Sequence, residues 1–170
     1  DKLGGAIDVR RAVASESLVL LDGQNLKLKE GDVLIADDNG PLALAGVMGG
    51  EASAVSTETK DIFLECAFFA PLLLAGRARA HGVHTDLSHR FERGVDPRLQ
   101  EQAIERASQL ITEIAGGKAG PVVCVESEAH IPLQNEVTLR AEKLHSLLGL
   151  SLPGERIEEI LARLGMEVSG

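Results

Sequence analysis

Short apolar segments separated by tight-turn signals set the strongest constraint on how the beginning of this chain folds. Asp22-Gly23, Gly31-Asp32 and Asp38-Asn39-Gly40 each stand between aliphatic runs of only a few residues. Asp-Gly and Asn-Gly pairs suit the positive φ angles of hairpin turns, and runs this brief are too short for helices. The pattern therefore predicts strands with tight connections over residues 7–45.

Apolar spacing changes to that of helices further along the chain. Residues 61–69 form one more apolar run and predict a strand. Pro71 opens a helical pattern that reaches position 81, and Asp96-Pro97 is typical of a helix start, with a helix expected over 97–115. The combination predicts an α+β fold, in which a β-rich, sandwich-like layered domain carries packed helices.

A change in composition divides the chain near its last quarter. Residues 1–128 are predicted to form the layered domain, and 129–135, of mixed polarity, a linker. Residues 136–170 carry two amphipathic helical patterns and predict the start of a small, α-rich, helix-turn-helix-like module. Since the chain opens without methionine and closes on an incomplete strand pattern, we expect both domains to be truncated parts of a longer protein.

Charge and aromatic content narrow the class of nucleic-acid partner. The 170 residues include 26 Asp and Glu against 17 Lys and Arg, a net charge of −9, which opposes wrapping of a phosphate backbone. Four Phe and no Trp or Tyr make a base-stacking platform unfavourable. A local basic patch for one end of an RNA is still predicted, from Arg77, Arg79, Arg90 and Arg93.

Cysteine usage and hydropathy bear on the compartment. Cys66 and Cys124 lie among apolar residues without metal-ligand spacing, so we expect two buried, reduced thiols and a cytoplasmic protein. No apolar run approaches the length of a membrane span, and no membrane partner is expected.

Glu65 is the most unusual polar residue, because it stands inside the apolar run 61–69. A carboxylate in such surroundings loses water and needs a charged or hydrogen-bonding partner. Two interpretations remain open. The partner is a ligand hydroxyl, or it is a structural cation, one of Arg77, Arg90 and Arg93.

Three glycines, Gly46, Gly49 and Gly50, interrupt the sheet pattern. They offer backbone N–H groups and room for a ligand, but their spacing matches neither GxxxxGK nor GxGxxG. A glycine-rich turn between strands is the simpler interpretation.

Residues 81–97 are so polar that they predict a loop between two helices. A zinc hydrolase that uses His81, His84 and Asp86 is one hypothesis, because the two histidines are three positions apart. Gly82 opposes a regular helix that would present them together, and histidines in polar loops usually form local hydrogen bonds. We therefore expect no metal site.

Four segments occur in an order that resembles the editing domain of the bacterial phenylalanyl-tRNA synthetase β subunit. They are GVMGGE at 46–51, FLECAFF at 63–69, GRAR at 76–79 and HTDLSHRFERGVDP at 84–97. The likeness extends over about residues 1–128, and residues 136–170 resemble the start of the next small domain of that subunit.

This resemblance implies an enzyme, its partners and its cofactors. The β subunit of the family pairs with a catalytic α subunit as an (αβ)2 heterotetramer, which joins phenylalanine to its tRNA with ATP and magnesium. No part of this chain resembles the ATP site, so no cofactor is implied here. The implied activity is hydrolysis of tyrosine wrongly attached at the 3′ end of phenylalanine tRNA.

The resemblance also implies roles for individual residues. Glu65 matches the acid that reads the tyrosine hydroxyl, and Gly49 the glycine that admits the aminoacyl group, with Gly46 on the same wall. Thr85 matches a pocket threonine and is our candidate for a catalytic role. Leu87 stands where the family often has alanine against the ring. A non-catalytic module that binds an aromatic amino acid or a protein is the alternative.

Hydrolysis of an activated ester needs an oriented water and donors for the developing oxyanion. The backbone N–H groups of the glycine segment, the Thr85 hydroxyl and the hydroxyls of the terminal ribose are the groups expected to supply them.

Overall fold

The turn signals at the start of the chain do separate short strands in a computed structural model that describes residues 2–127, 130–132 and 136–169. The described strands are β1 (Asp8–Arg11), β2 (Ser17–Val19), β3 (Asn25–Lys27), β4 (Val33–Asp37), β5 (Gly40–Leu44) and β6 (Met48–Gly49). They form an antiparallel four-stranded sheet in the order β1-β4-β5-β6 and a separate β2-β3 hairpin.

The central strand β4 has apolar side chains on both faces of the sheet, because successive residues of a strand point to opposite sides. Leu34 belongs to a first core cluster, which it shares with Leu18 and Leu26 of the hairpin. Val33 belongs to a second cluster, with Phe69. A layered packing on two faces results, and the predicted α+β class is confirmed.

Four helices complete the first part of the chain: α1 (Pro71–Leu74), α2 (Arg77–Ala80), α3 (Asp86–Arg93) and α4 (Gln100–Ala115). The prediction of a single helix over 71–81 is wrong, because the helix is interrupted between α1 and α2. Gly76 there has φ 73°, a left-handed conformation that cannot continue a right-handed helix.

The predicted start of the long helix is displaced by one turn. Asp96 does not cap α4; its Oδ1 accepts the N–H of Arg98, 2.9 Å away, in a turn that precedes the helix. The predicted end of this helix at Ala115 is confirmed.

The strand predicted over residues 61–69 is not formed, since this segment has no regular secondary structure and no strand among the described residues pairs with it. Its end still packs as core: Ala67 and Phe69 contact the second cluster. Phe63, by contrast, is 62% exposed.

The chain divides into two compact units, residues 1–132 and 133–170. The domain boundaries predicted at 128 and 135 remain a prediction. The linker predicted over 129–135 lies partly outside the described residues. The second unit holds α5 (Ala141–Leu148) and α6 (Gly154–Arg163). A left-handed Gly149 ends α5.

The cysteines are less buried than predicted, because Cys66 is partly buried and Cys124 is exposed, and both are free thiols. No helix within the described residues has the length and apolarity needed to cross a bilayer.

Candidate functional site

Thr85 caps the N-terminus of α3 and ties it to the sheet. Its Oγ1 accepts the backbone N–H of Ser88 at 2.9 Å, and the Ser88 hydroxyl in turn accepts the N–H of Thr85 at 3.2 Å. Thr85 Oγ1 also donates to the carbonyl oxygen of Val47 at 2.9 Å. The single hydroxyl proton is therefore already bound, while Oγ1 keeps one lone pair free.

Residues 81–97 were predicted as a loop, and the presence of α3 within them corrects that prediction. The reciprocal Thr85–Ser88 cap differs from the usual box, which ends in Glu or Gln, so the sequence signal was missed. Phe91 gives the helix its apolar anchor: its ring centroid lies 5.6 Å from that of Phe69, beside the second core cluster.

A buried carboxylate fixes the turn that leads into α3. Asp32 is fully buried, and its Oδ2 lies 2.7 Å from Nε2 of His81 and accepts the N–H of Lys29 at 2.8 Å. Asp32 Oδ1 has no hydrogen-bond partner among the described residues, and Nη1 of Arg77 lies 4.0 Å from it. His81 thus has a structural partner deep in the fold, away from solvent.

The glycine segment begins in the turn that joins β5 to β6 and continues into β6, which agrees with the simpler interpretation of a glycine-rich turn between strands. The N–H of Val47 donates to the carbonyl of Leu44 at 3.0 Å, and that of Gly50 to Leu42 at 2.7 Å. These two amides are unavailable to a ligand unless the sheet opens. This corrects the expectation that the segment offers free backbone donors.

The two glycines assigned to the site differ in their surroundings. Gly46 has φ 65°, and a Cβ there would lie 2.5 Å from Leu74 Cδ1 and 3.2 Å from the Phe91 ring. Gly49 has no positive φ, and its Cβ would meet only Leu21, at 3.4 Å, which is an ordinary contact. Gly46 is thus required by packing, whereas Gly49 has room for a methyl group beside Leu21.

Glu65 has no hydrogen bond or ion pair among the described residues, so the structural alternative of an arginine partner finds no support. Its side chain keeps contact with solvent, yet the protein atoms packed around it remove part of its hydration. This desolvation raises the pKa of the Glu65 carboxyl above its usual range. Burial, followed by the neighbouring Glu65 charge, raises the pKa of the Cys66 thiol as well.

An open cleft of about 490 Å³ lies between the end of α2 and the polar face of α3. Its wall includes Thr85 together with Arg79, His84, His89 and Arg93. Of the predicted basic patch, the structure brings only Arg79 and Arg93 into this cleft.

Residues 1–116 match the family profile of the B3/4 domain. The chain belongs to the B3/4 domain family. It is similar over 99% of its length to the phenylalanine–tRNA ligase beta subunits of Pasteurella multocida (57% identical), Yersinia pestis (52%) and Methylococcus capsulatus (54%). It spans 21%, about a fifth, of the length of each of these relatives. The resemblance deduced from the four sequence segments is confirmed.

The B3/4 domain brings some of the predicted site residues together and leaves others apart. Thr85 is joined to the glycine segment through Val47, and Gly46 lies against α3. Leu87 is 44% exposed and does not line the cleft, and no described hydrogen bond links Glu65 to Thr85.

The zinc hypothesis finds no geometric support in this B3/4 domain. No group of three His, Cys, Asp or Glu within the described part of the chain could hold a metal ion. His81 is bound to Asp32 in the interior, whereas His84 is exposed on the cleft wall.

Proposed function

We propose that this B3/4 domain is the editing part of a phenylalanine–tRNA ligase β subunit and that it hydrolyses tyrosine wrongly attached to phenylalanine tRNA. The names of the relatives and their identity over nearly the whole chain support the enzyme assignment. The same proposal includes a catalytic α subunit partner in an (αβ)2 assembly, with ATP and magnesium used there and no cofactor used in this domain.

The unpartnered carboxylate of Glu65 carries the proposal. A partly desolvated acceptor with no partner among the described residues gains a hydrogen bond when a tyrosine hydroxyl reaches it, and gains none from phenylalanine. A site that hydrogen-bonds a substrate hydroxyl can disfavour the analogue without it by roughly 10⁴–10⁵. Glu65 would therefore select the wrong product and spare the correct one.

The reaction is hydrolysis of an ester. Water attacks the carbonyl carbon, the bond to the ribose oxygen breaks, and that oxygen takes up a proton, which leaves free tyrosine and deacylated tRNA. Thr85 Oγ1 can accept a hydrogen bond from this water through its free lone pair, but its own proton is held by Val47.

Donors for the oxyanion must come from elsewhere than the bonded amides of the glycine segment. The first N–H groups of a helix have no partner within it, and in α3 the third is already capped by Thr85. The N–H group of Asp86, which lines the cleft, is therefore our candidate, together with the hydroxyls of the terminal ribose.

The test is hydrolysis of Tyr-tRNA and Phe-tRNA by the full-length β subunit in its αβ complex. Glu65→Ala should abolish the preference for the tyrosine ester, because the acceptor is gone. Glu58→Gln is the matched control: it removes another exposed acid, from the loop that precedes residues 61–69, and should leave the preference unchanged. Selective hydrolysis that survives Glu65→Ala would show that Glu65 does not read the hydroxyl.

A binding module without hydrolysis is the second candidate, and the engaged Thr85 proton and glycine-segment amides favour it. It predicts that tyrosine raises the melting temperature of the protein while Tyr-tRNA remains intact. The editing proposal instead requires the ester to be cleaved by the wild-type complex.

A further inference from the structure

Two arginines that form no ion pair within the described part of the chain line the cleft beside α3. Arg79 and Arg93 both line it, and no ion pair within 4.0 Å involves either guanidinium in the described ranges. The chain has 26 Asp and Glu to offer, against 17 Lys and Arg. Because neither guanidinium forms an ion pair with a described residue, the donors that are not bound to His89 remain available to an external anion.

His89 adds a third donor to the same wall. Arg93 Nη1 lies 2.8 Å from His89 Nδ1, and the same nitrogen donates to the carbonyl of His89 at 3.3 Å. A guanidinium has only donors, so Nδ1 is the acceptor in this contact and Nε2 is the ring nitrogen that carries a hydrogen to donate. The Nε2–H of His89 has no acceptor among the described residues.

Two acids also line the cleft, and neither forms an ion pair with Arg79 or Arg93 in the described ranges. Glu92 Oε1 accepts the N–H of Gly76 at 3.0 Å, which holds this carboxylate toward the junction of α1 and α2. Asp86 is the first residue of α3, where the helix dipole stabilises its negative charge.

We propose that this cleft binds a phosphate group of the single-stranded end of an RNA, held by Arg79, Arg93 and the Nε2–H of His89. Guanidinium groups match phosphate oxygens with two parallel hydrogen bonds, and a cleft of about 490 Å³ is of ligand-site size. The inference rests on the proposed function, since a tRNA 3′ end would bring its ester to the cleft that Thr85 also lines.

The test measures binding of a fluorescein-labelled, unacylated five-nucleotide RNA to the full-length β subunit in its αβ complex, by anisotropy over a range of salt. Each contact to a single-strand phosphate adds about 0.7 to the slope of log K against log salt. The double variant Arg79→Gln/Arg93→Gln should bind more weakly and lower this slope by about 0.7, the contribution of the one phosphate that the cleft is proposed to hold. RNA bound elsewhere contributes equally to every variant.

Two further variants serve as controls. Arg90→Gln removes a cation from the same helix but outside the cleft, and should match the wild type in affinity and slope. Arg79→Lys/Arg93→Lys keeps the charges, so it should keep the slope while it loses the affinity that paired hydrogen bonds supply.

Equal slopes for the wild type and the double glutamine variant would overturn the proposal. Displacement of the RNA by an equal concentration of inorganic phosphate would also overturn it, because the cleft would then prefer the free ion. Binding of unacylated RNA does not depend on hydrolysis. A wild-type complex that fails to cleave Tyr-tRNA would therefore refute the editing function, and the binding result would stand separately.

Discussion

Alanine at Gly46 or at Gly49, made one at a time, separates a packing requirement from a requirement for ligand entry. At Gly46 the new side chain meets two costs. A left-handed backbone costs an L-residue about 1–2 kcal/mol, and forcing a methyl to 2.5 Å from Leu74 Cδ1 adds about 1–3 kcal/mol of overpacking. We expect Gly46→Ala to lower the free energy of unfolding by about 2–5 kcal/mol.

Gly49→Ala meets neither cost, since its Cβ would make only an ordinary 3.4 Å contact with Leu21. A compatible Gly→Ala change often stabilises by about 0.4–1 kcal/mol through the unfolded chain. We therefore expect the free energy of unfolding to change by less than about 1 kcal/mol. Hydrolysis of Tyr-tRNA should nonetheless fall, because the methyl group occupies the space through which the aminoacyl group is proposed to enter.

Urea unfolding followed by far-ultraviolet circular dichroism reads both stability changes, as the chain has no Trp or Tyr for intrinsic fluorescence. A loss below about 1 kcal/mol for Gly46→Ala would refute the packing argument. Equal destabilisation by both variants would show that Gly49 is structural too, and full activity of Gly49→Ala would remove it from the entry path.

Two other predictions concern Thr85 and Glu65. Thr85→Val keeps the shape of the side chain but loses the cap of α3 and the hydrogen bond to Val47. Urea unfolding should therefore show a free energy of unfolding lower by about 1–3 kcal/mol, whereas Thr85→Ser should keep the wild-type value. Equal stability of the two variants would refute this. Desolvation raises the pKa of Glu65. As the pH falls, the Glu65 carboxylate therefore becomes protonated at a higher pH than the carboxylate of an ordinary glutamate does. The charge-assisted bond to the tyrosine hydroxyl then weakens, so a ratio of Tyr-tRNA to Phe-tRNA hydrolysis that stays constant down to the usual glutamate range would contradict this.

Some of the architecture is local and was predictable for that reason. The hairpin between β4 and β5 needs only a two-residue turn at Asp38-Asn39, whose conformation neighbouring residues decide: the Asp37 carboxylate accepts the N–H groups of Asn39 and Gly40. The end of α5 at Gly149 is equally local.

The candidate site was predictable only in part. The resemblance identifies residues of the site but does not show which groups they bond to or pack against. The order of four motifs was enough to indicate the B3/4 family and to single out Glu65, Gly49 and Thr85. It did not reveal that the Thr85 proton is already used, or that Gly46 serves packing while Gly49 has room for a methyl group.

What the sequence by itself determined are the turns, most of the helices and the family, because each depends on neighbouring residues or on a linear order of motifs. Only the tertiary structure decided which groups meet. Thr85 finds its acceptor 38 positions away, and His81 finds Asp32 49 positions away. Residues 61–69 have the composition of a strand, but a strand exists only where a second backbone offers hydrogen bonds, and that partner cannot be read from the segment itself.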